Sequence, residues 1–269
     1  MGQIKIIFIL ESLIFKERRV FVIMIVITRK HSYYISDNDV AMIEAGSVVF
    51  DPKNNKMYMV FAPGELTEVK ADSVSIETLE ALIEALAVGG DIEIVEDIDA
   101  PTGFEIKADT VVTNNNMISI KEDTEGNGVF MVTDGTLTLN GKGIIDGLGK
   151  NDWSMAIWAK GNGKVIINDG YFTNVGASSI NDPEHFDLIY ASENGQVEIN
   201  GGEFQCETPK WILNIKDKDR ATASIVVKGG KFYGFNPADC ASEGEHTNFV
   251  APGYKVIEES TGVFVVVPE

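Results

Sequence analysis

The polar loop at residues 181–187 holds the residues best able to do chemistry, because one histidine stands there among three carboxylates. A histidine beside carboxylates can bind a metal ion or act as a general base. No second histidine and no cysteine accompanies it, so a solvated surface loop is the favoured interpretation. The catalytic alternative rests on four residues: Asp182, Glu184, His185 and Asp187.

Tryptophan offers a second kind of chemistry, the stacking of a sugar against an exposed aromatic ring. Trp153 lies in a polar stretch and is the candidate for such a glycan platform. Trp158 and Trp211 occupy predicted strand positions and are expected to pack.

Other catalytic patterns are weaker still. A uronate lyase needs acidic calcium ligands and an arginine or lysine as base, but Arg220 is the only arginine after residue 30 and its alternating-sign surroundings are typical of a solvated turn. Asp134 and Asp146 do not recur at matching positions, so both are assigned to turns.

Cys206 and Cys240 lack metal-ligand spacing and are expected to be reduced thiols. We therefore expect no enzyme activity, no cofactor and no metal.

Net charge and hydropathy limit the classes of partner that we expect for this chain. The 269-residue chain has a net charge of −19, which argues against a nucleic-acid surface. Its first 30 residues form an apolar N-terminal extension, but charged residues divide the apolar runs, and neither run approaches the ~18–20 residues that span a bilayer. We expect no membrane partner, and we favour a true translation start near Met24.

The elements that would position these residues come from a repeat. One short phrase occurs four times, with two alternating apolar residues, a polar and glycine-containing turn, and then a large apolar residue. The copies begin at residues 137, 165, 197 and 225, so the intervals are 28, 32 and 28 residues. The predicted core positions are Leu137, Leu139, Ile144, Val165, Ile167, Phe172, Val197, Ile199, Phe204, Ile225, Val227 and Phe232.

A repeat of this length indicates one supersecondary unit stacked on itself. A second apolar stretch precedes each phrase, and the order of strand, turn, strand, turn with glycines at the corners predicts parallel coils that bury one face together. The asparagines at the same place in three copies, Asn140, Asn168 and Asn200, should then lie one above another at a corner.

The flanks of the repeat differ from it. Residues 31–72 predict a small β-rich module, which we interpret as an attachment module, with a hairpin over residues 46–61. Residues 73–90 predict an amphipathic helix with Ser75 as N-cap and an apolar stripe from Ile76 to Leu86, suited to cover the open end of the coils at 91–235. Residues 236–269 predict a loop followed by a β-hairpin.

Two segments carry a resemblance to known families. The run at residues 89–98, followed by residues 107–111, resembles the first coils of pectate-lyase-like proteins, in which a glycine pair opens the first strand. This likeness covers roughly residues 75–235 and implies an all-β, right-handed parallel β-helix. The segment at residues 234–251 resembles the closing segment of β-helical head-fibre and capsid-decoration proteins from tailed phages of gut bacteria.

The phage resemblance implies a structural virion component, assembled in the cytoplasm of a bacterial host. It also implies a homotrimer that binds a capsid protein or another virion protein. Since the β-helix superfold supports many activities, two alternatives stay open. One is a carbohydrate-active lyase or hydrolase, or a glycan-binding protein that contacts host surface glycans, and the other is a bacterial surface adhesin.

Overall fold

The structure is a computed structural model that describes five strands within the first 72 residues, and then residues 73–120, 128–147, 155–176 and 186–269. The chain divides into two compact units, Met1–Ala71 and Asp72–Glu269. Each unit is described separately below.

The described part of the first unit is a five-stranded antiparallel sheet in the order β2-β1-β3-β4-β5. The predicted hairpin at 46–61 is confirmed, because β3 and β4 pair directly. The apolar run assigned to the N-terminal extension supplies β1, which pairs with strands on both sides, so the sheet begins before residue 31. The strands are β1 (Ile23–Ile27), β2 (Ser32–Ser36), β3 (Val48–Asp51), β4 (Lys56–Ala62) and β5 (Glu65–Val69).

The second unit is built from short strands and one described α-helix. In chain order its elements are β6 (Val74–Ile76), α1 (Leu79–Val88), β7 (Gly90–Ile94), β8 (Ile98–Ala100), β9 (Phe104–Ile106), β10 (Thr110–Asn114), β11 (Met117–Ile120), β12 (Phe130–Val132), β13 (Thr136–Asn140), β14 (Ile144–Asp146), β15 (Ile157–Ala159), β16 (Lys164–Ile167), β17 (Tyr171–Thr173), β18 (Ile189–Ala191), β19 (Gln196–Ile199), β20 (Glu203–Gln205), β21 (Leu213–Ile215), β22 (Ser224–Val227), β23 (Gly230–Tyr233), β24 (Tyr254–Ser260) and β25 (Val263–Pro268). Short 3-10 helices occupy Pro209–Trp211 and Asp217–Asp219.

The described strands of this unit form three sheets, and the chain visits them in rotation. Sheet 1 has the order β22-β19-β16-β13-β10-β7-β6, sheet 2 the order β24-β25-β23-β20-β17-β14-β11-β8, and sheet 3 the order β21-β18-β15-β12-β9. One round is a strand in sheet 1, then one in sheet 2, then one in sheet 3. Each strand from β7 to β23 pairs in parallel with its counterpart in the neighbouring round, so the predicted parallel stacking is confirmed.

The core is made by alternation along each strand. In the three-residue strands of sheet 3 the first and third side chains are buried and the middle one faces outward, whereas in β14, β17 and β20 of sheet 2 the middle side chain is the buried one. The buried side chains of all three sheets form one hydrophobic cluster. Sheet 1 contributes an in-register column of fully or almost fully buried residues: Val112, Leu139, Ile167, Ile199 and Val227.

Eleven of the twelve predicted core positions are buried, and Ile144 is the exception. The residue in register with Phe172 is Ile145, which is 2% exposed, whereas Ile144 pairs with Tyr171 on the outward side. The reason is a longer turn after β13. Six positions separate Leu139 from Ile145, but five separate the equivalent residues of the next round. An extra residue in a turn moves the following strand by one position and exchanges its two faces.

Ladders of identical side chains connect the rounds, as predicted for the asparagines. The Nδ2 of Asn168 donates to Oδ1 of Asn140 at 2.9 Å, and the Nδ2 of Asn200 donates to Oδ1 of Asn168 at 3.0 Å. Inside the core, Phe172 stacks on Phe204 with ring centroids 5.1 Å apart, and Phe204 stacks on Phe232 at 4.8 Å.

Glycine at the turn before each of these phenylalanines allows the rounds to approach. Gly202 has φ of +95°, and a Cβ there would lie 3.0 Å from the carbonyl oxygen of Gly170 in the round before. Any larger residue would be strained and crowded at this position.

Helix α1 begins three residues later than predicted. Its N-cap is Thr78, whose Oγ1 accepts from the backbone N–H of Ala81 at 3.2 Å, and Ser75 lies instead in strand β6. Leu82 and Leu86 are buried in the common core, whereas Ile83, expected in the buried stripe, is 52% exposed. The helix therefore covers the first round with a narrower apolar face than the sequence indicates.

The C-terminal segment closes the other end of the second unit. Strands β24 and β25 form the predicted hairpin, and β25 continues sheet 2 by pairing antiparallel to β23. The loop before the hairpin buries Phe235 and Phe249 and adds a backbone bridge between Val227 and Val250. The open apolar end of the last round is covered in this way.

Candidate functional site

The structure describes only some of the residues that the sequence predicts for chemistry. Asp182, Glu184, His185 and Trp153 lie outside the described residues. Asp187 is described, and its Oδ1 accepts a hydrogen bond of 2.8 Å from Nδ2 of Asn214. In the chain, the segments that contain these residues connect strands of sheet 2 to the following strands of sheet 3. Asp187 therefore lies beside sheet 3, since its partner Asn214 belongs to strand β21 of that sheet.

Sheet 3 carries a row of outward residues that we call the sheet 3 ledge, defined as Met131, Trp158, Tyr190 and Asn214. These residues are direct neighbours in the strand register, and each is half-buried. The rings of Trp158 and Tyr190 have centroids 6.0 Å apart and are inclined by 54°, within the range for a favourable aromatic pair.

Sequence reasoning missed this ledge. Trp158 was expected to pack, but it lies between the inward residues Ile157 and Ala159 and therefore faces outward. Tyr190 has the same surroundings in the next round, between Ile189 and Ala191. The signal was present as an aromatic residue flanked by two small or aliphatic residues in two consecutive rounds, because side chains alternate along a strand.

Polar contacts hold the indole of Trp158 in place. Its Nε1–H donates to Oγ of the buried Ser192 at 2.9 Å. The Nζ of Lys160 lies 4.9 Å from the ring centroid, a cation–π distance, and 3.9 Å from a carboxylate oxygen of Glu193. The ring is therefore preoriented before any ligand arrives.

The environment of Tyr190 favours the neutral form of its phenol. Burial raises the pKa of Tyr190 to about 12, and the charges of Asp187, Asp219, Asp217 and Glu243 act in the same direction. The phenol is neutral at physiological pH, and can donate and accept hydrogen bonds without acting as a base.

One other sequence assignment is corrected here, and two are confirmed. Arg220 is exposed in a turn, as predicted, with its Nη2 2.6 Å from Asp217 and its Nε 2.7 Å from Oε2 of Glu243, whose side chain is 9% exposed. Asp146 ends strand β14 rather than forming a turn. Asp134 does serve a turn, since its Oδ1 accepts from the N–H of Gly135 at 3.0 Å.

The cysteines are poor nucleophiles. Both have free thiols, and burial raises the pKa of Cys206 to about 12 and raises the pKa of Cys240 as well. A thiol must ionise to attack a substrate or bind a metal, and burial in apolar surroundings opposes this.

An apolar hollow with a volume of about 300 Å³ lies beside α1, between Leu79, Ile83, Leu86 and Phe104. Within the described ranges, no three or more histidine, cysteine or carboxylate side chains are grouped so that they could hold a metal ion. No helix in the described part of the chain is both long and apolar enough to cross a membrane.

Comparisons with protein-family models, with curated proteins and with solved structures find no match to this chain.

Proposed function

We propose that the second unit is a right-handed parallel β-helix serving as a non-enzymatic structural component of a phage particle, a head fibre or capsid-decorating protein. The observation that carries the structural role is the repetition of one register through every described round. Each round offers the next the same hydrogen-bonding edge and the same apolar face, which gives a rigid scaffold without requiring any reactive group.

The right hand of the coils is part of this proposal. It is supported by the rotation of the chain through three parallel sheets, because crossover connections between parallel strands are right-handed in nearly all proteins.

The virion assignment draws on the resemblance of the closing segment, residues 234–251, to that of tailed-phage proteins. In the structure this segment does what a closing segment must do, since it buries Phe235 and Phe249 against the last round. In the same proposal the chain forms a homotrimer, residues 31–72 serve attachment, and the partner is a capsid protein or another virion protein. Assembly takes place in the cytoplasm of the bacterial host.

The test is mass spectrometry of virus particles purified by density gradient from cells that express the gene. We expect peptides from residues 91–235 to copurify with the major capsid protein in a constant ratio. Recovery in the cell envelope instead would favour the adhesin alternative and overturn the virion proposal. Light scattering of the purified full chain tests the trimer separately, and a monomer would overturn that part alone.

A further inference from the structure

The spacing between successive residues of the sheet 3 ledge suits an extended, linear ligand. Neighbouring strands lie about 4.8 Å apart, so successive ledge residues repeat at a distance close to the length of one hexose ring. Three of the four members, Met131, Trp158 and Tyr190, are apolar or aromatic and belong to consecutive rounds. A linear ligand that runs across the strands would meet one of them at each step.

The chemistry of the ledge suits a sugar. An aromatic ring binds the C–H face of a pyranose through dispersion and its negative π-face. Beside the rings stand groups that pair with hydroxyls: the neutral phenol of Tyr190, the amide of Asn214 and the carboxylate of Asp187. A mixture of aromatic surface and a few fixed polar groups is typical of small-molecule sites.

The ledge is also preorganised. Trp158 is held by the hydrogen bond to Ser192 and by the ammonium group of Lys160. A side chain that is already ordered loses little entropy when a ligand binds, so more of the contact energy becomes affinity.

The charges around the ledge select the class of sugar. The carboxylates of Asp187, Asp217, Asp219 and Glu243 act together on the phenol of Tyr190. Two cations near the ledge contact carboxylates: Lys160 lies 3.9 Å from Glu193, and Arg220 contacts Asp217 and Glu243. A uronate or sulfated chain would be repelled by these carboxylates.

We propose that the sheet 3 ledge binds neutral hexopyranose chains, with Trp158 and Tyr190 as stacking platforms and Asp187 and Asn214 as hydroxyl partners. This site is independent of the proposed virion role, and differs from the Trp153 platform suggested by the sequence.

Tyr171 supplies a matched control. It is an outward, half-buried aromatic residue on sheet 2, but its register neighbours are Ile144 and Glu203, and its hydroxyl donates to Gln205. Its removal deletes an aromatic surface of similar kind that has no aromatic partner in its row.

The test is titration calorimetry, with saturation-transfer NMR, of the full chain against cellohexaose, mannohexaose, galactohexaose and hexagalacturonate. We expect at least one neutral hexasaccharide to bind and hexagalacturonate not to bind. Trp158→Ala should weaken binding about tenfold or more, while Tyr171→Ala leaves it unchanged. Tyr190→Ala gives a second measurement if Trp158→Ala does not fold, as judged by circular dichroism.

Three results would overturn the proposal. These are no binding of any neutral hexasaccharide up to about 10 mM, preference for hexagalacturonate, or equal losses in the ledge and Tyr171 variants. None of them would affect the particle-association test, so failure of this site and failure of the virion proposal are distinguishable.

Discussion

At the scale of single residues, position within a strand decides what a side chain does. Ile199 and Ile257 are the same residue type in strands, yet Ile199 is fully buried in the column of sheet 1 and Ile257 is 47% exposed in β24. Comparing substitutions at these two positions therefore measures how much the burial of one isoleucine stabilises the fold.

Replacing Ile199 with alanine should destabilise the protein by about 2–5 kcal/mol, because methylene groups are removed from close packing and a cavity remains. Ile257→Ala, the control, should change the free energy of unfolding by about 0.5 kcal/mol or less. Urea denaturation followed by circular dichroism measures both. Similar losses at the two positions would contradict the described burial.

Tyr190 should make stability depend on pH in the alkaline range. Its pKa is about 12 in the folded protein against an ordinary value of 10.0, so folding favours the neutral phenol. The stabilisation is complete below pH 10 and is lost as the pH rises towards 12.

Thermal melts of the parent and of Tyr190→Phe between neutral pH and pH 12 test this. We expect the variant to lose less stability than the parent across that interval, since phenylalanine has no proton to release. Tyr233, whose pKa is also raised to about 12, titrates in both proteins and cancels in the comparison. Parallel curves for the two proteins would show that Tyr190 is not responsible.

At the scale of elements, the ends of the second unit depend on a few polar contacts. Helix α1 relies on the Thr78 hydroxyl for its first turn. The end of sheet 3 relies on Glu243, whose Oε1 accepts from the N–H of Ile215 at 2.6 Å while its Oε2 forms an ion pair with Arg220 at 2.7 Å.

Thr78→Ala should lower stability by about 1 kcal/mol, because an N-terminal N–H of α1 loses its partner. Ser75→Ala tests the cap position that the sequence suggests, and should cost no more than about 0.5 kcal/mol. Chemical denaturation of both variants is the measurement. A larger loss at Ser75 would place the start of the helix where the sequence pattern puts it.

Glu243→Ala should cost about 1–3 kcal/mol, since it leaves the N–H of Ile215 without its acceptor and removes one of the two carboxylates that pair with Arg220. Hydrogen exchange should rise in β21 and in the loop before β24. Glu245, an exposed residue two positions away, gives the control Glu245→Ala, which we expect to be neutral. Unchanged exchange in β21 would mean that other contacts hold the closing loop.

At the scale of the whole molecule, the net charge of −19 favours solubility and repels anionic surfaces. In the described second unit the buried apolar side chains form one cluster, and the pair of Trp158 and Tyr190 lies on an outer face. The proposed function, a scaffold with a binding face, requires both features and no proton transfer.

We therefore expect the protein to show no lyase or hydrolase activity. Incubation with polygalacturonate and with neutral glycans, with and without calcium, should release no unsaturated or reducing ends above background. Activity that disappears in Asp182→Ala or His185→Ala would assign the loop at 181–187 a catalytic role and reverse this expectation.

Much of the stacking followed from the sequence alone. The strand periodicity, the asparagine ladder and the phenylalanine column were predictable because, in a repeat, each residue meets its own equivalent one round away. Register between rounds is then set by the interval between copies, which can be counted along the chain. The C-terminal hairpin was predictable for a similar reason, since its two strands are neighbours in sequence.

Only the tertiary structure decided the features that depend on turn length or on contacts between distant segments. One additional turn residue made Ile145 rather than Ile144 the core position, and the pairing of β6 with β7 left Thr78 to begin the helix. The ion pair of Arg220 with Glu243 joins two residues more than 20 positions apart that are not equivalent positions of the repeat. Local propensity carries no information about such pairs, because their partners are set by how the rounds pack against one another.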